Sequence, residues 1–399
     1  MSILRSQRSF CRSEDGAVYL RRRIDLATST SLVLGTVVGS GIFIAPKGVL
    51  ENSGSVGVSL LVWALCGVLS MAGALCFAEL GTTFRKSGGQ YVYLQETLGP
   101  LPAFLCLWVE FIVIRPATVS VVSLAYGRYV IEPFFTPCAT PEVLVKLVSL
   151  LAMSIVVAVN CWSVKLTSNM QVTLTFIKVF ALILIIVPGI MALARGTLMP
   201  NFDNAFDSDS LTLTKLPLAF YAGLYAYGGW FNLNCVTEEI INPNRNIPLS
   251  IVISMVTVTV CYVLVNVSYY TVMTSAELLA SGAVAMTFAH RTLQSIASII
   301  PMLVAMSCLG FPLHSRPFKV PVAITISFTA VCFFIVGLSL YSDPWNTGSS
   351  CAVTLSGVPV YYLTVHQQRL PVRWRNAFQS CTKHLQILME VIQEEVKMY

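Results

Sequence analysis

The chain is 399 residues long, 55% hydrophobic and 11% charged, with a formal net charge of +6 and a mean hydropathy of +0.74. That composition excludes a water-soluble domain of this length and places the chain in a bilayer. The positive balance does not indicate nucleic acid, because the lysines and arginines fall between apolar runs without interleaved aromatics, as topology signals do.

Residues 1–28 form a basic arm carrying Arg5, Arg8, Arg12 and Arg21 to Arg23. It leads into the first apolar run with no small-residue cleavage site, so that run, rather than a removed leader, is expected to direct insertion. Apolar runs able to cross a core roughly 30 Å thick then recur as far as residue 366. They are expected near 30–46, 58–80, 101–131, 143–161, 170–193, 216–236, 248–272, 295–311, 321–340 and 350–366. The eighth contains Pro301 and barely reaches the minimum length, which leaves a re-entrant segment open. The fold class expected is therefore an all-α polytopic membrane protein of about ten spans.

Basic residues in the short loops, from Arg21 to Arg23 through Arg85 and Lys86, Lys165 and Arg245 to Arg316 and Lys319, alternate sides of successive spans. This places both termini in the cytoplasm and the loop containing Cys138 outside. Lys47 and Arg195 are exceptions, one in each of two outer loops. The sequon at Asn266 falls deep inside the seventh span and is not expected to carry a glycan. Residues 367–399 form a cytoplasmic tail, either an amphipathic helix on the inner leaflet or an unstructured segment.

Two spans are interrupted. The first contains Gly39-Ser40-Gly41, and the sixth contains Tyr225-Ala226-Tyr227-Gly228-Gly229. An unwound backbone at membrane depth is tolerated only against protein or a cavity. Small residues also let helices pack closely, so glycine alone does not decide between the two uses. Matching positions five spans apart favour the cavity, because carriers built from inverted repeats break the first helix of each repeat around the substrate. Freed amides attract a carboxylate and freed carbonyls an ammonium, and an α-amino acid carries both.

Two charges lie inside spans. Arg115, in the third, is costly there unless paired or hydrated, and serves either a structural or gating role or the attraction of an anionic substrate. Glu110, five residues earlier, would sit about 140° away on an α-helix and off the same face. Lys178, in the fifth span, either places an ammonium where other carriers hold a sodium ion or snorkels to the inner interface. The four histidines lie in loops, the tail or span ends, and no nucleophile or phosphate-loop motif appears, so no enzyme, cofactor or metal site is expected. Of the twelve cysteines most fall in apolar runs, whereas Cys138 is the one cysteine in an interspan loop, which suggests intermolecular pairing.

The stretches "GSGIFIAPKGVLENSGSVG", "AELGTTFRKSGGQYVYL", "IRPATVSVVSLAYGRYVIEPFF", "YAYGGWFNLNCVTEEIINPNRNIPL" and "RPFKVP" resemble the light subunits of heteromeric amino acid transporters, most of all the branch that exchanges cystine for glutamate. The resemblance implies the inverted-repeat carrier fold (LeuT/APC-like), sodium-independent exchange of amino acid substrates at the plasma membrane, and a single-span glycoprotein heavy chain as partner. It assigns the intersubunit disulfide to Cys138, substrate binding to Gly39, Ser40, Gly41, Tyr225, Ala226, Gly228 and Gly229, and intramembrane charges to Arg115 and Lys178. Family members continue for about a hundred residues where this chain passes from Gly310 to Phe311. The expected organisation of residues 29–366 is thus a first repeat over 29–193, an incomplete second repeat over 216–311 and two further spans over 321–366, in a form expected to be impaired in transport.

Overall fold

A computed structural model of the chain describes residues 11–12, 18–19, 24–84, 88–135, 140–162, 164–196, 202, 205–206, 214–235, 237–293, 298–308 and 344–364. Apart from a two-rung antiparallel ladder between Cys11–Arg12 and Val18–Tyr19, the described elements are helical.

The first span is two helices, α1 (Leu26–Val37) and α2 (Gly41–Ser53), bent by 48°. Asp25 starts α1 by accepting from the Thr28 N–H at 2.8 Å, an N-cap. Gly54 ends α2 in the left-handed conformation, φ 73°, that glycine adopts without a Cβ penalty. Ser55 then caps α3 (Val56–Thr83). After α4 (Gly89–Thr97), the third span runs through α5 (Pro100–Val109), a π-helical turn at Glu110–Ile114 and α6 (Arg115–Phe135). Next come α7 (Glu142–Trp162) and α8 (Val164–Ala194). The fifth span therefore begins earlier than its apolar run implied, with Lys165 in the first turn of α8 rather than in a loop.

In the second half, α9 (Leu216–Ala226) stops at the second break, and the chain resumes as a 3₁₀ segment, Trp230–Cys235, rather than as an α-helix. The sixth span is thus continuous α-helix only as far as Ala226. It is followed by α10 (Pro243–Val272), with Pro at the first helical position, and by α11 (Ser275–Ala280), α12 (Val284–Thr292) and α13 (Ile299–Cys308). Ten residues of α13 rise about 15 Å at 1.5 Å per residue, about half a bilayer core. The ninth expected span lies outside the described residues; the tenth is α14 (Pro344–Thr364). Among the described residues four uninterrupted stretches, Val56–Gly81, Pro100–Phe135, Thr173–Ala194 and Pro243–Val272, are long and apolar enough to cross a membrane, and α1 with α2 makes a fifth.

The core lies where α1, α2, α9 and α10 meet α3 and α8. Helix α10 is central to it. Trp63, Tyr227 and Tyr262 are fully buried, with Tyr227 and Tyr262 ring centroids 4.9 Å apart and Trp63 edge-on to Tyr262 at 5.8 Å. Asn266 is also fully buried and donates to the Tyr262 carbonyl at 2.8 Å, which keeps its sequon away from any loop. Large apolar side chains such as Phe134, Val143 and Phe176 face outward, as lipid contact requires. Helix α14 docks on α5: Trp108 Nε1 donates to Val353 O and Ser356 Oγ, each at 3.3 Å, and the Trp108 ring lies over Gly357.

Close helix crossings depend on small residues. A Cβ at Gly189 would come within 2.7 Å of the Ser268 Cα, so α8 and α10 would have to separate. Gly189→Val is expected to cost about 1–3 kcal/mol, read as a lower melting temperature in detergent with correct insertion retained. In the loop after α10, Thr274 and Glu277 form a capping box, and Arg291 pairs with the Glu277 carboxylate. The Thr274 N–H, then Arg291, hold that carboxyl below its ordinary value. A depressed folded-state value stabilises above the unfolded one and is lost as pH falls through the folded one. Exchange protection at Glu277 and Leu278, taken relative to the intrinsic amide rate at each pH, is therefore expected to fall on acidification into the carboxylate range.

Candidate functional site

The two breaks touch. At the first, Val38 still bonds Leu34 O at 2.8 Å, Gly39 N turns back to Val37 O at 2.8 Å, and the next helix starts with Phe43 N and Ile44 N on Ser40 O. At the second, Tyr227 N and Gly228 N close the end of α9 on Gly223 O and Tyr225 O, and Gly229 takes φ +110°. A Cβ at Gly41 would lie 2.6 Å from Ala226 Cα, and one at Gly229 would lie 2.7 Å from Thr36 O, so backbone meets backbone at both points. Side chains tie the pair together. Thr36 Oγ1 reaches Gly229 O at 3.2 Å and Val33 O at 2.9 Å, and the Tyr262 hydroxyl faces Val37 O at 2.9 Å and Ala226 O at 3.2 Å. Each of those two carbonyls belongs to the last residue of a half-helix and has lost its intrahelical partner.

A cavity of about 250 Å³ opens beside this junction. Gly39, Ser40 and Gly41 line one side, and Tyr225, Ala226, Gly228 and Gly229 another. Lys178 of α8 and Glu110 of the π turn bring charges of both signs to it. Lys178 is 1% exposed and donates to Gly35 O at 3.3 Å, so its ammonium sits at α1 rather than at the interface. The snorkelling alternative is not what the geometry contains. The ends of two half-helices, an ammonium and a carboxylate around one small cavity can hold a molecule bearing both an ammonium and a carboxylate.

Gly39, Ser40, Gly41, Tyr225, Ala226, Gly228, Gly229 and Lys178 are therefore gathered around one cavity, whereas Tyr227 of the second break turns into the core against Trp63 and Tyr262. Arg115 opens α6 just after the π turn, and its side chain lies outside the described residues, as does Cys138. The turn between Glu110 and Arg115 is π rather than α, so the separation of about 140° expected from α-helical winding does not apply. Sequence reasoning missed Glu110, Thr36, Thr118, Phe231, Asn232 and Cys308 as cavity residues. Cys308 had read as one more membrane thiol, and nothing in its local pattern separates it from the others. Tyr262, on the same grounds, looked like any aromatic in an apolar helix.

The profile of the family described as "Amino acid permease" matches residues 24–314. The chain is 42% identical over 465 positions to the cystine/glutamate transporters of Pongo abelii and Homo sapiens, covering 96% of this chain and 93% of each relative. The chain belongs to the amino acid permease family. This permease is also 45% identical over 304 positions to the human b(0,+)-type amino acid transporter 1, covering 76% of the chain and 62% of that relative. With the mouse large neutral amino acids transporter small subunit 2 the identity is 34% over 458 positions, 93% and 86% covered. It is thus a multi-pass membrane protein with the all-α carrier fold. The 465-position alignments exceed the whole 399-residue chain, so those relatives contain internal sequence with no counterpart here. The family match ends four residues past Gly310.

The contact of Gly229 with Thr36 gives a direct test. Gly229→Ala places a Cβ against a backbone oxygen at positive φ, a strain of about 1–3 kcal/mol, and is expected to lower the melting temperature and abolish amino acid binding. Thr36→Val, which keeps the shape and removes the hydroxyl, should cost about 1 kcal/mol and weaken binding less.

Proposed function

We propose that this permease exchanges amino acids across the plasma membrane without sodium, as the light chain of a heterodimer, with cystine and glutamate as its substrates. The single observation that carries the reading is the meeting of two unwound segments, from matching places in the two halves of the chain, at one cavity lined by both charge signs. Such a cavity suits a zwitterion held by main-chain atoms, and alternating access follows from rocking the broken helices against the rest. Lys178, with its ammonium seated on Gly35 O, supplies fixed positive charge where a sodium ion would otherwise be needed. The 42% identity to cystine/glutamate transporters supports that substrate pair, and the small-subunit name of a third relative supports a partner chain. Cys138, in the loop after α6, is the residue assigned to the disulfide with a glycoprotein heavy chain. Both termini are then cytoplasmic, and no catalytic chemistry is part of the role.

A second reading has a specific observation behind it. The internal sequence that the relatives possess and this chain lacks would supply neighbours for the broken spans, and among the described residues of an apolar 18-residue window of Pro100–Phe135 none is buried. On this reading the chain is a non-transporting subunit that still binds the heavy chain.

Reconstitution with the heavy chain in proteoliposomes separates the two. The expected result is cystine uptake accelerated by glutamate inside the vesicle, unchanged when sodium is replaced by choline, and slower than that of a full-length relative. No exchange above empty vesicles, with the heavy chain still crosslinked, would establish the second reading. Under either, Cys138→Ser is expected to abolish the heavy-chain band on non-reducing gels, and retention of that band would remove Cys138 from the interface.

A further inference from the structure

Lys47 breaks the charge rule that orders the loops of this chain, and its position in the fold gives a reason. It lies on α2, two turns beyond Gly41, and lines a second cavity of about 310 Å³ together with Phe43, Arg128, Ser281 and Gly282. This cavity is built on the same two helices as the central one. Gly41 of α2 and Thr118 and Val122 of α6 line the inner cavity; Phe43, Ile44 and Lys47 of α2 and Val121, Ala125 and Arg128 of α6 line the other. They are successive chambers along one interface, and the second lies towards the end of α6 that leads into the Cys138 loop.

The charges in this chamber are not balanced alike. Arg128 is engaged, with Glu142 at 3.6 Å, and both Arg128 Nη1 and the Glu132 carboxylate lie close to Gly282. Lys47 is half-buried, and its one polar contact among the described residues is a long one, Nζ to Ser281 O at 3.4 Å. No described carboxylate lies within 4 Å of it. A half-buried lysine whose ammonium is held by one long carbonyl contact leaves room at a chamber wall for an anion to complete the site.

We infer that Lys47 forms an outer receiving site for the side-chain carboxylate of an acidic amino acid, which waits there before passing between α2 and α6 to the helix breaks. A site of this kind raises the local concentration of an anionic substrate and its rate of entry, and its effect falls with ionic strength. It also favours acidic over neutral amino acids before the central cavity is reached. The inference rests on the proposed amino acid binding at that cavity and adds a second, charge-selective station to it.

The experiment is the association rate of radiolabelled glutamate and of glutamine, which differ by one carboxylate, with the full chain and its heavy chain in nanodiscs. Lys47→Gln is expected to slow glutamate association about fivefold and glutamine association less than about twofold, and Lys47→Arg to restore the glutamate rate to within about twofold. Equal effects on both ligands, no effect, or failure of Lys47→Arg to restore would overturn the receiving site while leaving amino acid binding intact. If the unaltered protein binds neither ligand, the functional reading fails and this inference with it. Should Lys47→Gln not fold, the unaltered protein supplies the test: raising salt from about 0.05 to about 0.5 M should slow glutamate association more steeply than glutamine association, and parallel slopes would overturn the site.

Discussion

Hydrocarbon offers no hydrogen bonds, so every backbone group freed by a break in a membrane helix must find a partner within the protein or face a cavity. In this permease a third helix supplies much of the partnership. The carbonyl ends of α1 and α9, Val37 and Ala226, both face the Tyr262 hydroxyl of α10, and the Thr36 hydroxyl reaches across from the first break to Gly229 O of the second. The two breaks are therefore satisfied partly by one another and partly by α10. This explains why α10, which carries Tyr262, lies at the centre of the core and why its buried face contains Ser254, Tyr262 and Asn266 among aliphatic residues. Ser254 extends the same role by donating to Thr30 O of α1 at 3.1 Å.

The same economy of polar groups governs the charges. An ammonium in the membrane is tolerated where it is paired or hydrated. Lys178 has a carbonyl partner on α1 and a cavity beside it, and Glu110 faces the same space from a π turn, a local winding often found at functional positions. Farther along the α2–α6 interface, Arg128 is matched by Glu142, whereas among the described residues Lys47 makes one long contact to a carbonyl.

The docking of α14 on α5 bears on the segment that relatives possess and this chain lacks. Its anchor points, Trp108, Phe104 and Leu105, belong to the third span in the first half, well before Gly310. Helix α14 therefore seats on a surface that this chain itself provides, whatever internal sequence its relatives add.

Much of this was written in local sequence. The spans are legible because about 20 apolar residues have one stable answer in lipid, and the breaks because glycine and serine in such a run forfeit helix bonds. Asp25, Gly54 and Pro243 mark helix ends by chemistry that acts within a few residues. What the sequence left open was decided by distant pairings: that Tyr262 rather than another aromatic serves both breaks, that Glu110 turns onto the cavity through a π turn, that Cys308 lines it, and that the sixth span continues as 3₁₀ helix past Gly229. Local preference and hydropathy determine where a helix forms and fails, because they depend on near neighbours and solvent. Which side chain satisfies a freed carbonyl, or faces an empty space, depends on residues 36 positions away for Ala226 and 225 for Val37, and only packing brings those together.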